Sequence, residues 1–181
     1  MEHGNSNLIF PAPSDNLKIR YWESGDTKCV ISGAEDSYIP LTTSIPADCN
    51  EVGALDWIER QNKKIDEGTD LPLCITRAST NEALGMVGIF ELNVESESAR
   101  GGYWISPQHR GKGIVRKILK IVTPWAAEKL HLNVIELLIE PDNIASRKAA
   151  EAAGYSKKQV LKAHTEINGV LRDMQLYAWE S

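Results

Sequence analysis

Only three cysteines, Cys29, Cys49 and Cys74, occur in the 181 residues. Their number is odd, their spacing is wide, and neither a CxxC pair nor a Cys/His cluster is present. Neither a disulfide framework nor a zinc site is supported; buried or idle thiols in a reducing compartment are expected. No apolar run approaches the ~20 residues that a membrane span needs. The opening "MEHGNSNLIFPAPSD" lacks the basic-then-apolar order of a signal peptide. A cytoplasmic protein without membrane attachment is therefore expected. A basic excess is missing too: 25 acidic against 20 basic residues leave a net charge of −5. Broad nucleic-acid binding, which needs a basic surface to displace counterions, is not expected. A small anion held by a local basic patch remains compatible with that balance. Internal repeats and low-complexity tracts are absent.

What is present suits one soluble globular domain, with 42% hydrophobic and 25% charged residues. A chain of this length buries a core without disulfides or metals. Residues 1–15 are polar and proline-containing and are expected as a loose arm before a domain over 16–181. "LKIRYW" (Leu17–Trp22) alternates and reads as a strand. Glu23 to Asp36 is weakly helical, and "SYIPLTTSIPADCN" with Pro40 and Pro46 reads as a loop. "EVGALDWIERQNKKIDEG" spaces Val52, Leu55, Ile58 and Ile65 near the helical period and stops at Gly68. "LPLCITRA", "ALGMVGIFELNV" and "ARGGYWIS" are three further strands, the last ended by Pro107.

After Gly113 the apolar positions Ile114, Ile118, Ile121, Val122 and Trp125 form one helical face, and Pro124 predicts a kink or an end. "NVIELLIE" (Asn133–Glu140) is an almost continuous apolar run, as expected of a strand covered on both faces. "PDNIASRKAAEAAG" is a short helix with Asp142 or Asn143 as cap and Gly154 at its C-terminal turn. Asn168-Gly169 between two strand-like runs predicts a type I′ hairpin. The order gives a mixed α/β domain.

"QHRGKGIVRK" joins a strand to a helix through two glycines among cations. Glycine lets a ligand approach the backbone closely. The first helical turn presents unpaired N–H groups and the positive end of the macrodipole. Arg110, Lys112, Arg116 and Lys117 add full charges nearby. A phosphate or pyrophosphate is the ligand such a place suits. The spacing is neither a Walker loop nor GxGxxG, and alone it is equally the pattern of a structural turn.

The segment becomes specific when read together with its surroundings. "GYWISPQHRGKGI" followed by "NVIELLIEPDNIASRKAAEAAGY" resembles the Gcn5-related N-acetyltransferase (GNAT) superfamily, within it the group that acetylates ribosomal-protein N-termini. Gln108, Arg110, Gly111 and Gly113 match the superfamily's (Q/R)xxGx(G/A) turn. "LGMVGIF", the N-x-x-S at Asn143 and Ser146, the A-G-Y that follows, and "NGVLRDMQLYAW" match as well, so the likeness runs from about Leu17 to Trp179. It implies a mixed, mostly antiparallel sheet with flanking helices and a splayed strand pair holding acetyl-CoA as cosubstrate. In that architecture the strand ending at Ile105 parts from Val134–Glu140. The amides from Arg110 through Gly111, Lys112 and Gly113 to Ile114 cradle the pyrophosphate, and Asn143 and Ser146 lie beside the cofactor.

The implied reaction is attack of a neutral amine on a thioester, by direct transfer in a ternary complex. Ser146 is the expected proton donor to the leaving sulfur; the tyrosine used elsewhere in the superfamily is replaced by Ala150. At both positions where relatives often keep a glutamate, this chain has Arg100 and Lys158. Glu91 and Glu140 are substitutes in principle, as is water acting on an already neutral amine, and Glu91 is the base assigned here. His109 is expected at the pyrophosphate end, touching phosphate or solvent. Ser37–Asn50, the start of the helix after it and the hairpin tip are expected on the acceptor side. Trp22, Tyr38 and Trp57 are candidates for an aromatic wall there, and Glu35, Asp36 and Asp48 for attracting a cationic amine. The acceptor is a protein N-terminus or a small-molecule amine, and the protein a monomer or homodimer. The missing carboxylates keep a second class open, a CoA-binding module without catalysis.

Overall fold

The computed structural model describes residues 8–181. Seven strands form one sheet: β1 (Leu17–Arg20), β2 (Leu71–Arg77), β3 (Ala83–Asn93), β4 (Ser98–Ile105), β5 (Val134–Ile139), β6 (Ser156–Ile167) and β7 (Val170–Glu180). Their order across the sheet is β1-β2-β3-β4-β5-β7-β6. Every neighbouring pair is antiparallel except β4 and β5. The helices are α1 (Thr27–Ala34), α2 (Ile39–Thr42), α3 (Glu51–Asp66), α4 (Ile114–Leu130) and α5 (Ile144–Ala152). Of the expected arm, residues 1–7 lie outside the described residues. Residues 8–15 are fastened to the domain. The Trp125 indole N–H donates to the Ile9 carbonyl at 3.0 Å, and Phe10 packs against Tyr21 and Trp125.

The parallel pair shapes the molecule. β4 and β5 are in register only from Ser98↔Val134 to Arg100↔Glu136, whereas β5 stays paired with β7 to Ile139. Beyond Arg100 the two strands part. Gly101 stands at the parting, where a Cβ would come within 2.9 Å of the Leu137 side chain. Gly88 and Gly102 face each other across β3 and β4, and the Phe90 ring lies over both. Two hydrophobic clusters fill the interior. One lies between the sheet, α4 and α5, around Ile118, Ile135 and Tyr177. The other packs α1 and α3 around Trp22, Trp57 and Trp104, whose ring centroids are 5.0–6.4 Å apart.

Several local expectations are corrected. Ser37–Asn50 is not all loop, because Ile39–Thr42 forms one helical turn with Pro40 in its opening positions, where the missing N–H costs nothing. Ile58 and Ile65 of α3 are buried as expected, but Val52 and Leu55 are exposed, and Ala54, Trp57 and Gln61 complete the buried face. Pro124 does not end α4, which runs unbroken from Ile114 to Leu130. Pro124 and Lys120, the residue whose carbonyl it leaves unbonded, are both exposed, so that carbonyl lies on the solvent side of the helix. Buried Val122, Thr123, Trp125 and Ala126 tie both halves of the helix to the core. On β5, Ile135, Leu137 and Ile139 are buried, but Val134, Glu136 and Leu138 are only half-buried, so one face is incompletely covered. The Asn168-Gly169 turn is as expected: both residues have positive φ, 50° and 75°, between the paired Ile167 and Val170.

Candidate active site

The parting of β4 and β5 opens a cleft with two chambers, of about 580 Å³ and 600 Å³. Tyr38, Thr42, Tyr103, Trp104, Asn143 and Ser146 line both, so the chambers meet at these residues.

The first chamber is floored by the glycine turn. Gly111 and Gly113 have φ of 76° and 68°, in the left-handed region that favours glycine, and a Cβ on either would meet no atom within 4 Å. Conformation and an open approach therefore select glycine here, not crowding. Gly113 is the N-cap of α4, and the first bond back into that helix is donated by Lys117 to the Gly113 carbonyl at 3.2 Å. The amides of residues 114–116 have no intrahelical acceptor. Ile105, Arg110, Gly111, Lys112, Gly113, Ile114, Asn143 and Ser146 all line this chamber. Of the cofactor residues expected from sequence, Gln108 alone does not. Its side-chain oxygen accepts from the Ser32 hydroxyl at 2.7 Å, which ties the turn back to α1.

The charges near the turn are partly engaged. Arg110 bonds the Ile105 carbonyl at 3.0 Å and pairs with Asp36 at 2.8 Å. Burial would raise the Asp36 carboxyl, but Arg110 and the amides of Ile39 and Tyr38 outweigh it and hold the group below its usual range. Asp36 is thus a brace between α1, α2 and the turn. Lys112 donates to the Gln108 carbonyl at 3.2 Å, and Lys117 lies 3.7 Å from Asp15. His109, expected against phosphate or solvent, is among the residues lining the first chamber but is itself largely buried, with Nε2 3.4 Å from Glu82, and burial lowers its imidazole below the ordinary value.

The far wall is the start of α5. The Asn143 side chain accepts from the Ser146 amide at 3.1 Å, the N-cap bond that orients this turn. The Tyr103 hydroxyl reaches across from β4 to the Ser146 carbonyl at 3.5 Å; burial raises the Tyr103 phenol, and its contact with the Ser146 side chain opposes that rise.

The second chamber is lined by residues 41–44, Gln61 and Lys64 of α3, Phe90, Leu137 to Ile139 of β5 and Glu140 just after it, Thr165 to Ile167 of β6, and Met174 of β7. Trp57 fixes the 37–50 segment to α3, its indole N–H donating to the Ser44 hydroxyl at 3.0 Å. Trp22 and Trp57 are core residues, not a wall; of the three candidate aromatics only Tyr38 faces the cleft. Glu35 and Asp48 lie outside both chambers. Glu91, the base assigned from sequence, is not brought to the cleft. It sits at positive φ (51°), where the β3–β4 register shifts between Phe90 and Asn93, with its side chain 72% exposed and 3.8 Å from Arg100. Arg100 also lies 3.5 Å from Glu136, and Lys158 pairs with Glu180 at 2.9 Å. Two carboxylates line the chamber, Glu166 of β6 and Glu140, and Glu140 accepts a hydrogen bond from the Tyr38 hydroxyl.

Residues 16–156 match the family model described as an acetyltransferase (GNAT) domain. The chain belongs to the GNAT acetyltransferase family. It is 29% identical over 122 residues, 67% of each chain, to the "Probable N-acetyltransferase YjcK" of Bacillus subtilis (strain 168). Over 117 residues it is 26% identical to the spermidine N(1)-acetyltransferase of Vibrio cholerae, covering 65% of this chain and 67% of that one. The fold superposes with a TM-score of 0.81, at 17% identity and 95% and 98% coverage, on RimL, a ribosomal L7/L12 α-N-protein acetyltransferase solved with coenzyme A. Membership in this family of N-acetyltransferases makes the protein an enzyme whose cosubstrate is acetyl-CoA. No helix among the described residues is long and apolar enough to cross a membrane.

Proposed function

We propose that the protein transfers acetyl from acetyl-CoA to a primary amine, a protein N-terminus or a small-molecule amine, by direct attack in a ternary complex. The observation carrying this is the cleft itself: a parted strand pair, an open positive-φ glycine turn at one mouth, and Asn143 and Ser146 where the chambers join. The amides from Arg110 to Ile114 receive the pyrophosphate, and the thioester lies between β4 and β5 beside Ser146. The Ser146 hydroxyl is the proton donor to the leaving sulfur. RimL acts on a ribosomal protein and the Vibrio relative on spermidine, which supports both acceptor classes.

Thiol release from acetyl-CoA, followed against a panel of peptide N-termini and polyamines, tests the proposal. The expected result is release that depends on one amine class, with equimolar N-acetyl product. Tight acetyl-CoA binding without thiol release on any amine would leave a CoA-binding module instead. Unchanged acetyl-CoA affinity in Gly111→Asp would overturn the assignment of the turn.

A further inference from the structure

The reaction needs a group that relieves the incoming amine of a proton, and the cleft contains a carboxylate held as such a group would be. Among the described residues only two carboxylates line the acceptor chamber, Glu140 and Glu166. Glu166 is exposed on the edge strand β6. Glu140 is half-buried and directly follows β5, the strand that has parted from β4. Its Oε2 accepts from the hydroxyl of Tyr38, 102 residues away in the chain, and Oε1 has no partner among the described residues. Tyr38 lines both chambers, so this bond lies at their junction.

Building on the acyl-transfer reading, we propose that Glu140 receives the acceptor ammonium on its free oxygen and takes its proton, with Tyr38 as the positioning residue. The step balances as follows. R–NH3+ gives one proton to the Glu140 carboxylate, and the freed lone pair forms the N–C bond to the thioester carbonyl. The tetrahedral adduct collapses with cleavage of C–S. The second N–H proton passes through the Ser146 hydroxyl to the departing thiolate. The products are the N-acetyl amine and CoA thiol, and Glu140 returns its proton to water. Burial first, and the bond to Glu140 second, push the Tyr38 phenol well above its ordinary value, so it stays a donor throughout. The other charged groups facing the pair are Glu166, Arg172 of β7, which acts on Tyr38, and Lys64, which Asp70 neutralises at 3.1 Å.

The test compares wild type, Glu140→Gln, Glu140→Asp and Tyr38→Phe on two acceptor amines of different basicity, reading kcat and kcat/KM against pH and acetyl-CoA Kd separately. The glutamine carbonyl still accepts from Tyr38, so the local structure is kept. Expected for Glu140→Gln is a loss of about 10²- to 10³-fold below the amine's own pKa. That loss shrinks as pH rises through the amine pKa, with acetyl-CoA Kd unchanged. The aspartate variant recovers part of the low-pH rate. Tyr38→Phe loses about tenfold in kcat, since the carboxylate is present but unaligned. A wild-type pH profile in Glu140→Gln overturns the proposal, and so does a loss independent of pH and of amine basicity, the signature of a merely structural role. A wild type that releases no thiol with any amine refutes the acyl-transfer reading itself and this assignment with it.

Discussion

Replacing Gly113 by alanine separates what the glycine turn does for the fold from what it does for the ligand. Gly113 caps α4 at φ 68° and ψ 18°, and a Cβ there would meet no protein atom within 4 Å. The cost to the folded chain is therefore that of a left-handed backbone alone, about 1 kcal/mol. In a domain of this size that lowers Tm by about 2–4 °C. The same methyl projects into open space, through which phosphate oxygens would approach the amides in the proposed binding mode. Acetyl-CoA affinity should fall at least about tenfold, equivalent to about 1.4 kcal/mol of binding free energy. Calorimetric titration with acetyl-CoA reads the second effect and scanning calorimetry the first. A Tm lowered by a few degrees with unchanged Kd would refute the cradle. A collapse of the fold would refute the claim that only backbone conformation is at stake.

Ser146→Ala should lower kcat about 100-fold with acetyl-CoA Kd unchanged; steady-state kinetics beside a binding titration check this, and an equal loss in affinity would make Ser146 a binding residue only. Asp26 accepts two bonds from the Arg20 guanidinium at 2.7 and 2.9 Å, and both side chains are largely buried. Asp26→Ala leaves that cation only its 3.3 Å ion pair with the exposed Glu23 and should cost about 3 kcal/mol in urea unfolding. Burial depresses the His109 imidazole in the fold, so the unfolded chain binds the extra proton first. Its stabilising contribution is full above about pH 6.5 and declines as pH falls from there through the depressed folded value. Unfolding free energies of wild type should therefore fall more steeply between about pH 6.5 and 5.5 than those of His109→Gln; parallel slopes would contradict the burial argument.

Legibility followed the range of the interactions. The glycine turn, the Asn143 cap and the Asn168-Gly169 hairpin could be read because each is decided within a few residues by backbone conformation or one local bond. The strand pair and the order of elements followed from several motifs in sequence, and the sheet has the mixed topology expected. What could not be read depended on register or on distant contacts. Glu91 falls where a bulge breaks the period-two alternation, so no count of alternate residues reveals its direction. Tyr38 and Glu140 meet across 102 residues, and only the folded chain brings that pair together. Pro124 does not end α4, because the local rule ignores the packing that holds both halves of the helix. Val52 and Leu55 fit the helical period, but α3 turns Trp57 and Gln61 inward to meet the tryptophan cluster and the acceptor chamber.

A structure of the protein with acetyl-CoA bound tests the central claim most directly. The account predicts the pyrophosphate within hydrogen-bond distance of the amides between Arg110 and Ile114, and the thioester between β4 and β5 with its sulfur facing Ser146. The acetyl carbon should face the chamber that contains Glu140. A cofactor seated elsewhere, or one with its pyrophosphate away from Gly111 and Gly113, would contradict it.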